Sequence, residues 1–227
     1  MLELPFYIYL LFAASVITAA IIVLYAIKFE KRFTIVMLGW LLLQTLLSLS
    51  GFYTAVQTGL PRLPLLIAPV LASILSIFFI GGRRFLDSLN IKTLTLVHIV
   101  RIPVEIVLYG LFVHKAIPGL MTFEGRNFDI VSGLTAPFIY YFGCIKKKVG
   151  KQGLLLWNIL CLLLLFNIIV NSLLSAPSPL QRFAFNQPNI AFQFFPFALL
   201  PSFIVPLVLL AHMAAIRQLS LKIKKNQ

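Results

Sequence analysis

Apolar residues in this chain come in long runs, and short charged stretches separate them. A helix needs about 20 apolar residues to cross the hydrocarbon core of a bilayer. Runs of that kind predict seven spans, at about 5–27, 33–56, 64–82, 93–115, 129–145, 153–174 and 190–216. The fifth, around IVSGLTAPFIYYFGCI, is the shortest and contains Pro137. No polar block is long enough to fold separately, so the expected fold is all-α: one domain over 1–227, a polytopic bundle of seven transmembrane helices. Short connections make sequential helices antiparallel neighbours.

The loops set an orientation. Lys28, Lys31, Arg32, Arg83, Arg84, Lys92, Lys146, Lys147, Lys148, Lys151, Arg217, Lys222, Lys224 and Lys225 all fall on one side. Arg62, Lys115, Arg126 and Arg182 fall on the other, and Arg101 lies within a span. Lys and Arg concentrate in cytoplasmic loops. The N-terminus is therefore expected outside and the C-terminus in the cytoplasm. The N-terminal run has Glu3 where a signal peptide carries basic residues, and the run is too long for one, so it reads as a span.

Polar residues interrupt several spans. Within LTLVHIVRIPVEIVLYGLF, Arg101 and Glu105 follow His98 by three and seven positions. At about 100° per residue the three share one stripe. Arg101 and Glu105 lie near the middle of the span, and four residues apart they are expected to pair. Charges at this depth face the bundle interior and take a partner. Pro103 removes a backbone donor and frees the carbonyl of Ile99. Span two places Gln44 and Ser48 on one stripe, span six carries Asn158, Asn167 and Asn171, and span seven holds Pro196, Pro201 and Pro206. The outer loops add Glu124, Arg126 and Asp129 after span four, and Arg182, Asn186 and Asn189 after span six. Two readings of these loops stand: a lid over an outward cavity, or interfacial loops packed on each other with Asp129 capping the fifth helix.

Composition narrows the chemistry. Of 227 residues, 60% are hydrophobic and 11% charged, against about 25% charged in soluble domains. The net charge of +13 sits in inter-span clusters rather than along a surface that tracks a phosphate backbone, so no nucleic-acid partner is expected. Cys144 and Cys161 lie in apolar runs and form no metal-ligand spacing. His98 and His212 fall at similar depth, but His114 stands 16 residues from His98, roughly 24 Å along a helix. One ion cannot use all three, and no metal or cofactor is expected. No phosphate-binding Gly-rich loop, GxSxG or HExxH is present. The last span has no lysine for a retinal Schiff base, and the Pro-Gln dipeptides of small seven-span sugar transporters are missing.

The strings HIVRIPVEIVLYGLF, MTFEGRNFDIVSGLTAPFIYYF and QRFAFNQPNIAFQFFPF resemble an uncharacterised family of bacterial seven-span membrane proteins, over residues 93 to 216. The resemblance implies the bacterial cytoplasmic membrane and assigns no activity. The polar residues lead to an expectation of function: binding or transport of a small polar or amphipathic ligand in an outward-facing pocket lined by spans two, four, six and seven. Arg101 would anchor an anionic group, Glu105 would hold Arg101 or exchange a proton, and Asn167 and Asn171 would orient the ligand. His98, Gln44, Arg126 and Arg182 complete the candidate ligand-binding set. Membrane lipid is the other expected partner. A scaffold or sensor subunit without its own ligand, and an intramembrane lipid-modifying enzyme, are the alternatives.

The orientation is testable by cysteine labelling. Engineered cysteines at Gly59 and Ser178 are expected to react with an external impermeant reagent, and those at Ser88 and Gly150 to stay silent. External labelling at Gly150 overturns the orientation.

Overall fold

The structure, a computed structural model, describes residues 2–54, 62, 64–76 and 82–224. The expected span ends at 55–56 and 77–81 lie outside the described residues. Every regular element described is helical. The α-helices are α1 (Phe6–Ala26), α2 (Lys31–Leu49), α3 (Pro64–Ser76), α4 (Arg83–Ser88), α5 (Ile91–Val97), α6 (Arg101–Val113), α7 (Ile130–Phe138), α8 (Lys151–Ser175) and α9 (Val205–Lys224). A 3₁₀ turn, His98–Val100, joins α5 to α6 in one continuous segment, and wide π turns extend α7 at its end and α9 at its start.

Five of these segments are long and apolar enough to cross a membrane: Phe6–Ala26, Lys31–Leu49, Ile91–Val113, Lys151–Ser175 and Leu200–Ile223. The exposed faces of α1, α2 and α8 are rich in Leu, Ile and Phe, as lipid contact requires. This is a helical membrane protein. The sequence-expected fifth span is a shorter apolar helix, Ile130–Ile145. Its 16 residues rise roughly 24 Å, less than the 30 Å of a hydrocarbon core. The expected last span also changes. Helix begins at Leu200, and residues 190–199 hold only a 3₁₀ turn at Ala191–Gln193. Most of that irregular stretch is buried, which is where non-helical backbone is tolerated at membrane depth.

Local chemistry sets these boundaries. The Glu30 carboxylate accepts from the Phe33 amide at 2.7 Å and starts α2. Asn90 caps α5 through the amides of Lys92 and Thr93. Pro103 falls in the first turn of α6, where a missing N–H costs little, because the 3₁₀ turn has already ended the preceding helix. Pro137 and Pro201 each accompany a stretch of π geometry, which redistributes the backbone bonds a proline removes.

Packing centres on α9. It touches α8, α5, α4 and α3, and α1 lies along α5 and α6. At the basic end, Arg217 of α9 grips Asp87 of α4 with two bonds of 3.0 and 2.9 Å, and Gln218 donates to the carbonyls of Leu86 and Leu89. α2 is held through Trp40, whose indole donates to the Ser202 carbonyl at 2.9 Å.

Two close approaches depend on glycine. A Cβ at Gly110 would meet Ile8 of α1 at 2.9 Å. One at Gly133 would meet Ile102 at 2.9 Å and the Arg101 Cβ at 3.3 Å, so Gly133 lets α7 lie directly against the start of α6. Gly133→Ala is therefore expected to lower thermal stability in detergent, by about 1–3 kcal/mol. Gly39, with open space around its Cα, serves as control: Gly39→Ala is expected to be neutral or stabilising. Equal effects at both positions would remove the packing role of Gly133.

Candidate functional site

Arg101 opens α6, near the middle of the continuous 91–113 segment, and is 3% exposed. A cation there needs a partner, and the structure supplies one from another element. Arg101 Nη1 donates to Asp129 Oδ1 at 2.6 Å. No ion pair joins Arg101 to Glu105 among the described residues, which corrects the pairing expected from their four-residue spacing. Helix geometry put the two on one stripe. The guanidinium instead turns toward α7, because Gly133 brings that helix within reach.

Asp129 in turn is placed by a re-entrant segment. Twelve residues separate Arg101 from the end of α6 at Val113, a rise of about 18 Å. The chain after α6 turns back along that helix: Asn127 meets Glu105, and Gly133 of α7 packs against Ile102 and Arg101. Asp129 stands just before α7, yet its side chain does not cap that helix. Asn127 fixes it: Asn127 Oδ1 accepts the Asp129 amide at 3.0 Å, a local turn that needs only a two-residue spacing. The Asn127 amide group donates to Glu105 Oε1 at 2.5 Å and to the Met121 carbonyl at 3.1 Å. The partner expected for Glu105 was Arg101; the partner found is Asn127.

On its other side Arg101 meets a histidine. Its Nη2 lies 2.9 Å from Nε2 of His212. A guanidinium can only donate, so Nε2 accepts and the imidazole proton sits on Nδ1. That nitrogen donates to Asn158 Oδ1 at 3.0 Å, and the Asn158 amide group donates to the Leu154 carbonyl. His98 stacks on His212 with ring centroids 4.1 Å apart, and the edge of Trp157 closes the stack. Face-to-face stacking keeps the two imidazoles from converging their nitrogens on one ion. Among the described residues, no group of three or more His, Cys, Asp or Glu side chains is placed to hold a metal. A chain of bonds thus runs from Glu105 through Asn127, Asp129, Arg101 and His212 to Asn158.

A cavity of about 70 Å³ adjoins this chain. Arg101, Glu105 and Asp129 supply its charged wall. Apolar side chains from α6, α8 and the start of the last helix, among them Val104, Leu165, Ile169 and Ile204, supply most of the rest. Ser172 also lines it. Two buried polar atoms on the lining residues lack protein partners: Glu105 Oε2 and Arg101 Nε.

The other sequence-expected residues lie elsewhere. Gln44 is buried in α2 and accepts from Tyr53 at 2.8 Å. Asn167 donates to the Arg126 carbonyl at 2.6 Å, and Asn171 donates to Asn167, so this pair fastens α8 to the re-entrant segment. The Arg126 guanidinium lies 5.6 Å over the Phe183 ring. Arg182 donates to nearby carbonyls of its own loop. The two long loops are stitched together: Ile190 and Ala191 amides share the Ala116 carbonyl, and Gln187 donates to the carbonyls of Phe112 and Ile117. Of the expected set, Arg101, Glu105 and His98 come together. Asn127, Asp129, Asn158 and His212 join them, and the Asn-Phe-Asp spacing of the first two was the readable signal.

The fold and the buried charges define a helical membrane protein with an intramembrane polar centre. Residues 83–220 match the family described as a domain of unknown function, DUF8737, and the chain belongs to it. Every side chain of the bonded network falls inside that matched region. No curated protein and no solved structure matches the chain.

The ion pair yields a stability test. Asp129→Asn leaves a buried cation short of its counter-charge and is expected to cost about 3–5 kcal/mol. Adding Arg101→Met to Asp129→Asn is expected to recover a large part of that loss. Thermal unfolding in a mild detergent measures both, and a double variant no more stable than the single one would show that the two charges are not coupled.

Proposed function

We propose that this protein binds or carries a small amphipathic ligand in an outward-facing pocket of a seven-span bundle. The five long helices, with α3 and the shorter Ile130–Ile145 segment, supply the seven spans. The gathering of basic residues at one end supports an N-terminus outside and a C-terminus in the cytoplasm. The resemblance to bacterial membrane proteins supports the cytoplasmic membrane of a bacterium as its place. One observation carries the reading: a cavity beside three buried charged side chains whose remaining walls are apolar. Ligand pockets have this make-up, a mainly apolar lining with a few converging polar groups. Intramembrane charges otherwise exact a high desolvation cost for a purely structural role.

In this reading the two stitched loops are not a hinged lid. One of them descends to Arg101 and builds the pocket floor, and the charge pair holds that floor in place. The apolar walls from α6, α8 and the last helix take the hydrocarbon part of the ligand, and the charged wall takes its head.

Access to the pocket is the test. In a background with Cys144 and Cys161 replaced, Ser172→Cys is expected to react with an impermeant methanethiosulfonate added outside, more slowly than the loop control Ser178→Cys. Reaction at Ser178→Cys without any at Ser172→Cys would defeat the outward pocket and move the scaffold reading into first place.

A further inference from the structure

With Glu105 ionised, the three charged side chains on the cavity wall sum to one negative charge. Arg101 spends its terminal nitrogens inside the protein. Nη1 is bonded to Asp129 and approaches the Cys161 carbonyl at 3.4 Å, and Nη2 is bonded to His212. Nε–H and the second Nη2 hydrogen remain. Asp129 is the counter-charge of that cation. Glu105 is therefore the carboxyl group left without an ionic partner among the described residues. It is 2% exposed, it lines the cavity, and its one protein bond, from Asn127, occupies Oε1. Oε2 has no partner. A half-partnered carboxylate beside an apolar wall is costly; a proton or a seated cation removes the cost, and Oε2 is the atom open to either.

Resting on the ligand-pocket reading above, we infer that the ligand is an organic cation, an ammonium head on a short apolar body, with its head against Glu105 Oε2. This reverses the polarity expected when Arg101 was taken as the anchor. An anion would find only Nε–H and one Nη2–H on a guanidinium whose charge Asp129 already answers, and it would sit beside the Glu105 carboxylate. A bare metal cation fits poorly as well, since hard cations collect six or more oxygens and most of this wall is hydrocarbon. An alkylammonium matches both parts of the site: its N–H groups donate to the free carboxylate oxygen, and its chain lies along Val104, Leu108 and Leu165.

Charge-selective thiol chemistry on the full chain in phosphatidylcholine nanodiscs tests this. The Ser172→Cys protein is treated with a trimethylammonium-bearing methanethiosulfonate or with its sulfonate counterpart. Each rate is divided by the rate of the same reagent at Ser178→Cys. The cationic reagent is expected to be favoured by about 10-fold at the cavity, the lower end of what a charged cleft achieves by focusing. Hexylammonium is expected to slow labelling at Ser172→Cys in a saturable way, and hexanoate to leave it unchanged. Glu105→Gln is expected to abolish both preferences while Ser178→Cys still reacts. The first two comparisons use the native Glu105, so they decide the matter even where that variant fails to fold. Equal rates for the two reagents, or protection by hexanoate, would overturn the cation assignment and leave the pocket standing. No reaction of either reagent at Ser172→Cys would remove the pocket, and the assignment with it.

Discussion

The Arg101–Asp129 pair is the constraint around which the rest of the structure is arranged. A guanidinium near the middle of a membrane segment cannot be left to itself. Its counter-charge comes from a residue 28 positions further along the chain, and bringing it there obliges the connection after α6 to fold back along that helix as far as Glu105. That detour explains the shortness of the next apolar helix, which starts part-way across. It also explains Gly133, whose missing side chain lets α7 press against Arg101.

The same constraint produces the polar centre. A buried guanidinium with five donors needs several acceptors, and His212, Asp129 and the Cys161 carbonyl share the task. Each partner is then fixed by a neighbour: His212 by Asn158 and the stacked His98, Asp129 by Asn127. Elements far apart in sequence are locked into one register. Glu105 is attached to this network by one oxygen, lines the cavity and has no ionic partner among the described residues. The irregular start of the last helix, with its π turn around Pro201, completes the cavity wall. Helix-breaking geometry and buried charge thus meet at one place, as is common where a membrane protein handles a ligand.

Much of this was legible in the sequence. Apolar run length fixed the helical membrane class, because the bilayer sets a minimum length for any segment that crosses it. The run around His98, Arg101 and Glu105 showed one buried polar stripe, because the 3.6-residue period is enforced by backbone hydrogen bonds within the helix. Asn167 and Asn171 were legible as one helix face for the same reason; expected to orient a ligand, they bond each other and the Arg126 carbonyl instead. These features depend on neighbours within about two turns, and the backbone decides them locally.

Which groups pair across the bundle was decided only by tertiary structure. Spacing alone offered Glu105 as the partner of Arg101, since four residues bring two side chains together on an isolated helix. Asp129 lay in what read as an outer loop, and nothing in its own neighbourhood announced that the loop would turn inward. A re-entrant path depends on the summed packing of α6, α7 and α8 and on close contacts such as the one at Gly133, which no window of the chain contains. The sequence by itself determined the solvent of this protein, most of its long helices and the burial of Arg101 and Glu105. The tertiary fold alone determined how those charges are matched, because ion-pair geometry at a few ångströms is set by helices that meet in space and not along the chain.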